Sequence, residues 1–178
     1  MGSQLSQEKY VVRRGQAKDF MPYLEVCQLA AATAYSDYPA DSEQNLFGPK
    51  HYFHQTIMPY WQDMAQNTPT SMWWVAEVLK PRPKIVGGIA VKIHPAHYEG
   101  LGFYVTPEWQ NQGIGQTLWK VRQKHAGGPL FFEVYAHASR TISMHERHGA
   151  KPTGKKRTIH WDSWPKDVHL TALEYKQA

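Results

Sequence analysis

Apolar positions change their period along this chain, and the changes mark out elements. "KYVVRR" (Lys9 to Arg14) is β-branched and short, which predicts an edge strand. Asp19 then stands where a helix would start, with Pro22 in the first turn and Leu24, Cys27 and Ala31 recurring at helical spacing. Ser36 to Pro49 reads as a loop with room for a short helix after Asp41. "KHYFHQTIMPYWQDMAQN" predicts a second helix interrupted near Pro59. Three strand-like runs follow: "SMWWVAEVL", "KIVGGIAVKI" and "EGLGFYV", parted by the breaker "KPRPK" and the turn-like "HPAHY". A helix to about His125 comes next, closed by "GGP". Then come a strand "LFFEVYA", a helix "SRTISMHERHG" stopped at Gly149, and two last strands, "GKKRTIHW" and "VHLTALEY", around "DSWPKD". The order β-α-α-β-β-β-α-β-α-β-β predicts an α/β (α+β) fold, a mixed sheet with helices packed on it. There is no repeat and no low-complexity linker, so residues 1–178 are expected to form a single domain.

With 42% hydrophobic and 13% aromatic residues, the chain has enough apolar mass for a core and rings to spare for a cleft. A formal net charge of +5 favours an anionic ligand without implying nucleic acid. The one cysteine, Cys27, excludes an internal disulfide and suits a reducing, cytoplasmic setting, and its place on an apolar helix face predicts a buried thiol. No run approaches the ~18 apolar residues of a membrane span, and the N-terminus carries no apolar leader core.

The chemistry concentrates in "VTPEWQNQGIGQTLW", Val105 to Trp119. Two glycines sit at the passage from a strand to a helix, where main-chain N–H groups and the helix dipole suit a phosphate. A P-loop would need Lys and then Ser or Thr after the second glycine, but Gln116 and Thr117 stand there. A dinucleotide fingerprint is closer: Gly113 and Gly115 open the helix, and Glu133 on the next strand is placed to hold a ribose hydroxyl. Against it, Leu118 replaces the third small residue, and the strand ends well before Gly113. A third reading rests on the whole run "FYVTPEWQNQGIGQTLW", which resembles the acetyl-CoA signature of the GNAT superfamily of N-acetyltransferases. Pro107, Gln110, Gly113 and Gly115 fill the signature places. "WWVAEV" and "IVGGIAV" upstream and "EVYAHASRTISMHERHGA" downstream are similar to the family's flanking elements, so the likeness spans about Ser71 to Ala150.

The resemblance implies a GNAT-like fold: a mostly antiparallel mixed sheet of about six or seven strands with about four helices. It implies direct acetyl transfer from acetyl-CoA to an amine, small molecule or protein, in a ternary complex and without a metal. Coenzyme A would be held by Phe103, Tyr104, Val105, Gln110, Asn111, Gln112, Gly113, Ile114, Gly115, Gln116 and Ser139. The end of the strand, Phe103 to Val105, would offer main-chain N–H to the oxyanion. Gly100 and Gly102 would ease the bulge that opens the slot. Glu99 is the expected general base, directly or through water. The family's acidic tyrosine aligns with His145, which would have to be charged to protonate the leaving thiolate; the other reading is that His145 packs on the sheet and the thiolate takes its proton from water. Ala138 replaces the family asparagine, with Ser139 beside it.

The pairs His51/His54, His94/His97 and His145/His148 are short of a zinc ligand set and read as solvent-facing or capping. Lys155, Lys156 and Arg157, with Lys120, Arg122 and Lys124, read as a solvated basic face; the other readings of this patch are a site for the 3′-phosphate of CoA or for a nucleic acid. The acceptor is expected among the first two helices and their loop, with Asp37, Asp41, Glu43, Tyr35, Tyr38, Tyr52, Phe53, Tyr60 and Trp61 as candidate lining. The edge strand at Lys9 to Arg14 leaves a homodimer open. Two other classes remain at this point: a non-catalytic acyl-CoA sensor on the same fold, and a basic RNA-binding domain, which would leave the glycine junction unexplained.

Overall fold

Two adjacent tryptophans explain how the sheet is built. In β2 (Ser71–Val78), Trp73 and Val75 enter one core, while Trp74, Ala76 and Val78 enter another on the opposite face. A strand buried on both sides loses the apolar–polar alternation, which is why "SMWWVAEV" is nearly all apolar. The computed structural model describes residues 10–34, 58–159 and 168–176.

The remaining strands are β1 (Tyr10–Arg14), β3 (Lys84–Ile93), β4 (Tyr98–Val105), β5 (Leu130–Tyr135), β6 (Lys151–Ile159) and β7 (Val168–Tyr175). They form one seven-stranded sheet in the order β1-β2-β3-β4-β5-β7-β6. Every neighbouring pair is antiparallel except β4 and β5, which are parallel. The helices are α1 (Phe20–Ala34), α2 (Met58–Ala65), α3 (Ile114–His125) and α4 (Ser139–Arg147). α1 and α2 cover one face around Tyr23, Leu24, Trp61 and Trp73. α3 and α4 cover the other, with Ile114, Leu118 and Trp119 against Val86, Ile89, Leu130 and Phe132. This is the expected mixed, mostly antiparallel sheet with flanking helices.

Three local expectations change. Asp19 lies in a short 3₁₀ turn ahead of α1, where its carboxylate accepts from the Gln16 main-chain N–H at 2.8 Å. β6 begins at Lys151, earlier than its composition suggests. It lies at the sheet edge, where Pro152 costs no ladder bond, and the register shifts between Pro152 and Lys156 with Gly154 at φ 77°. The strand at Tyr10 does form a sheet edge, as predicted. The short helix after Asp41, the pair His51/His54, the first part of the second helix and the "DSWPKD" turn lie outside the described residues. So do the acceptor candidates Tyr35, Asp37, Tyr38, Asp41, Glu43, Tyr52 and Phe53.

The edge strand is tied to α1 by charge. Arg13 donates from Nη1 and Nη2 to the Asp19 carboxylate at 2.6 and 2.9 Å, and from Nε to Glu77 Oε2 at 2.8 Å. The hydrogen bonds from Arg13 hold the buried Asp19 carboxyl below its ordinary value. A depressed carboxyl stabilises the fold above its unfolded value and loses that contribution as pH falls through the folded one. Asp19→Asn should therefore cost about 1.5–3 kcal/mol near neutral pH. Thermal melts of both proteins across pH should show the gap closing below about pH 4.

Candidate active site

The site is organised by one strand that is paired unequally on its two sides. β4 runs along most of β3, but it meets β5 only at Tyr98–Leu130 and Glu99–Phe131. Beyond Glu99 the two strands part. On the β3 side the register slips between Gly88 and Ala90, leaving Gly102 and Phe103 outside the paired positions, with Gly102 at φ 53°. The glycine-eased bulge expected on this strand is therefore present. Thr106 main-chain N–H returns to Val86 O at 2.8 Å and closes the strand's end.

A short 3₁₀ turn, Pro107–Trp109, leads into the loop before α3. Two glutamine side chains pin this loop: Gln110 Nε2 donates to Val105 O at 2.9 Å, and Gln112 Nε2 to Glu108 O at 3.0 Å. Asn111 and Gly113 both adopt positive φ, 59° and 86°, on either side of Gln112. Such alternation gathers successive N–H groups toward one side. Among the described residues, the main-chain N–H groups of Asn111 to Gln116 have no main-chain acceptor. Gln110, Asn111, Gln112, Gly113 and Gln116 are exposed, Gly115 is half-buried, and Ile114 anchors the helix start in the core. Thr117, bonded to Gly113 O and to the Tyr10 hydroxyl, ties the same turn to β1. The loop thus presents a row of unsatisfied donors on the positive end of a helix, which fits a diphosphate. The two glycines differ in role. Gly113 needs its left-handed backbone, while a Cβ on Gly115 would stand 3.5 Å from Phe103, at ordinary contact distance.

On the α3 face, Phe103, Trp119 and Phe132 form a chamber that holds two ionisable groups. His145 is buried, with ring centroids 4.5 Å from Phe132 and 5.7 Å from Trp119, and its Nδ1 has no hydrogen-bond partner among the described residues. Burial, with help from the charges of Arg122 and His148, pushes its pKa down to about 3. The ring is therefore neutral at mild pH and packs in the interior, in keeping with the second of the two readings of His145. Arg122 is fully buried too, not part of a solvated basic face: it lies over the rings of Phe103, Trp119 and Phe132. Helical spacing already held this information, since Ile114, Leu118 and Arg122 fall on one stripe of α3. Arg157, from the same supposed basic face, pairs with Glu133 on the β5 side.

On the α1 face, Glu99 bonds to His94 Nε2 at 2.8 Å, and His94 stacks on His97 at 4.5 Å. Both sit in the β3–β4 hairpin region, so this pair is not helical. Lys92, opposite Glu99 in register, reaches Asp63 of α2 at 3.8 Å, so this side belongs to the α1 and α2 layer. Tyr23 comes from α1, stacks on Trp61 at 5.8 Å and donates its hydroxyl to Gly102 O on the bulge. Tyr104 faces Trp61 at 5.9 Å, and Val105 is buried on the opposite face. Ser139 is exposed at the first turn of α4. Cys27 is buried on α1, as its helical position predicted.

The Acetyltransferase (GNAT) family model matches residues 31–150, more than half of the chain and the whole of the β4-loop-α3 unit. The chain belongs to the GNAT acetyltransferase family. Solved structures agree with its fold. A GCN5-related N-acetyltransferase from Rhodopseudomonas palustris matches with a TM-score of 0.69 at 14% identity, over 98% of this chain and 100% of that one. PaiA N-acetyltransferase from Thermoplasma acidophilum, solved in complex with coenzyme A, matches with a TM-score of 0.63 at 18% identity, over 94% and 99%. The ribosomal-protein-S18-alanine N-acetyltransferase of Escherichia coli matches with a TM-score of 0.63 at 15% identity, over 95% and 96%. No curated protein matches the chain. This GNAT protein is thus an acetyltransferase of a family that uses acetyl-CoA. Among its described residues no helix is long and apolar enough to cross a membrane.

The depressed His145 has a measurable consequence. Between its folded and unfolded values the unfolded chain binds a proton that the folded chain refuses, so stability falls as pH drops below about 6.5. His145→Phe should remove that part of the slope, which is at most about 1.4 kcal/mol per pH unit for one group. Denaturant unfolding of both proteins between pH 7 and 5 will show it as a flatter curve for the variant.

Proposed function

We propose that this GNAT protein transfers the acetyl group of acetyl-CoA directly to an amine while both substrates are bound. The observation that carries the reading is the joint presence of two features on one strand. β4 separates from β5 after two paired positions, and it leads straight into an exposed loop of unpaired main-chain donors. A linear thioester with a diphosphate at its far end needs both a slot and an anion cradle.

In this reading the N–H groups of Asn111 to Gln116 hold the diphosphate, with Gly113 shaping the turn and Gln110 and Gln112 bracing it from behind. Ser139, at the head of α4, is available to the coenzyme on the neighbouring strand-to-helix turn. The main chain at Phe103 to Val105, next to the bulge, supplies a donor to the oxyanion, because Gly102 and Phe103 are released from the β3 register. The amine approaches from the α1 and α2 side. Glu99 accepts its proton there, with His94 orienting the carboxylate. Tyr104, half-buried beside Trp61, offers an aromatic surface on the same side, suited to a cation before it is deprotonated. His145, neutral in its chamber, packs beside the slot instead of donating a proton.

The test is an acetyl-acceptor screen that reads thiol release together with thermal stability. Coenzyme A should raise the melting temperature, by mass action on a folded-state site, and NADH should not. Thiol release should then depend on both acetyl-CoA and an amine, with no acetyl-enzyme on the protein. Glu99→Gln should lower kcat/KM at neutral pH by about 10²–10⁴-fold. An unchanged rate removes Glu99 from the reaction. Stabilisation by coenzyme A with no turnover across the whole panel would make the protein a sensor instead.

A further inference from the structure

Arg122 carries the largest unmet demand among the described side chains. It is fully buried, and Nε, Nη1 and Nη2 all lack a hydrogen-bond acceptor. The rings of Phe103, Trp119 and Phe132 lie 5.5, 4.6 and 4.7 Å from its guanidinium carbon. Cation–π attraction offsets part of the desolvation, yet five N–H donors in an apolar chamber remain unsatisfied. An aliphatic side chain would fill the same space at less cost. A cation in such a place points to an anion that comes and goes.

Its position says where that anion arises. Nη1 lies 2.9 Å from where a Cβ on Gly100 would stand, and Gly100 is the first β4 residue beyond the pairs with β5. Only a glycine lets the guanidinium and the Phe132 ring approach the strand this closely, since the same Cβ would meet Phe132 at 2.2 Å. Arg122 therefore sits at the root of the opening that the proposed function assigns to the thioester, and the inference rests on that assignment. Acetyl transfer makes two anions there. The amine nitrogen attacks the carbonyl carbon, and the transient oxyanion is served by main-chain N–H. The C–S bond then breaks, its electron pair stays on sulfur, and a thiolate remains.

We infer that Arg122 is the counter-cation of the coenzyme A thiolate as it leaves, in place of a proton donor on α4. Burial lowers the guanidinium's pKa to about 9, so it keeps its proton at mild pH. The amine gives its proton to the base on the α1 side, and the thiolate is later protonated by water. The titratable groups whose charge acts on Arg122, or feels it, are Tyr23 from α1 and His145 from α4. Neither is an anion at mild pH: burial raises the Tyr23 phenol well above its ordinary value, and His145 is neutral. The cation therefore has no internal partner to neutralise it.

Titrating the thiol of bound coenzyme A by the ultraviolet absorbance of its thiolate, with desulfo-coenzyme A as blank, tests this on the full chain. The bound thiol of the unaltered protein should titrate about one unit or more below that of free coenzyme A. Arg122→Met should return it to the free value, still be stabilised by coenzyme A, and melt at or above the parent temperature. Its kcat for acetyl transfer should fall about a hundredfold, and the loss should shrink with thioesters of more acidic thiols. Coenzyme A that binds with an unshifted thiol overturns the inference and leaves the proposed function intact. So does a preference of the parent protein for succinyl-CoA over acetyl-CoA that Arg122→Met abolishes, which would place an acyl carboxylate on the guanidinium. If neither coenzyme A nor desulfo-coenzyme A stabilises the parent protein, the proposed function falls first and takes the inference with it.

Discussion

Everything in this molecule that bears on chemistry depends on β4 being held fully from one side and barely from the other. Its antiparallel ladder with β3 gives it a rigid backing, while two paired positions join it to β5. A parallel pair sustained to the end of both strands would close the sheet and leave no way through. Parting after Glu99 instead leaves main-chain groups in the middle of a buried sheet to be satisfied by something other than a neighbouring strand. Tyr23 takes one of them, the Gly102 carbonyl, from the α1 side.

The two faces of β4 are given different electrostatic characters. On the α1 side the groups are wet and paired: Glu99 with His94, Lys92 with Asp63. On the α3 side they are dry and unpaired: Arg122 and His145 among aromatic rings. Burial penalises both charges there and is the main reason the imidazole is neutral, with the nearby guanidinium adding to it. Acetyl transfer needs a proton taken from nitrogen and negative charge accommodated on sulfur. A strand with a polar face and a cationic apolar face can serve both needs across its thickness, because glycines at 100 and 102 keep that thickness small.

The loop before α3 is held in shape by its own side chains. Gln110 and Gln112 spend their amides on main-chain carbonyls of the same turn, and Thr117 and Tyr10 secure the helix start. The main-chain donors of Asn111 to Gln116 are left over. Preorganisation of this kind would reduce the ordering cost of binding an anion there.

Much of this was legible along the chain. Periodicity and turn residues placed the strands and helices that are described, and "FYVTPEWQNQGIGQTLW" carried the family, because a strand, a tight donor-rich turn and a helix start are local structures written in neighbouring residues. Cys27 fell on its apolar helix face as read. What lay beyond reach was partnership at a distance. Arg122 looked like one more surface base, and His145 stayed open between a proton donor and a ring packed on the sheet. A side chain's protonation and solvation are set by what packs on it from elements far away in sequence, here Phe103 from β4 and Phe132 from β5. The pairing of Glu99 with His94, and the two-position junction of β4 with β5, were likewise decided in three dimensions. The sequence by itself determined which local shapes this protein could make; tertiary packing alone decided which of its charges are wet and which are dry, because the dielectric around a group belongs to its neighbours and not to its own residue type.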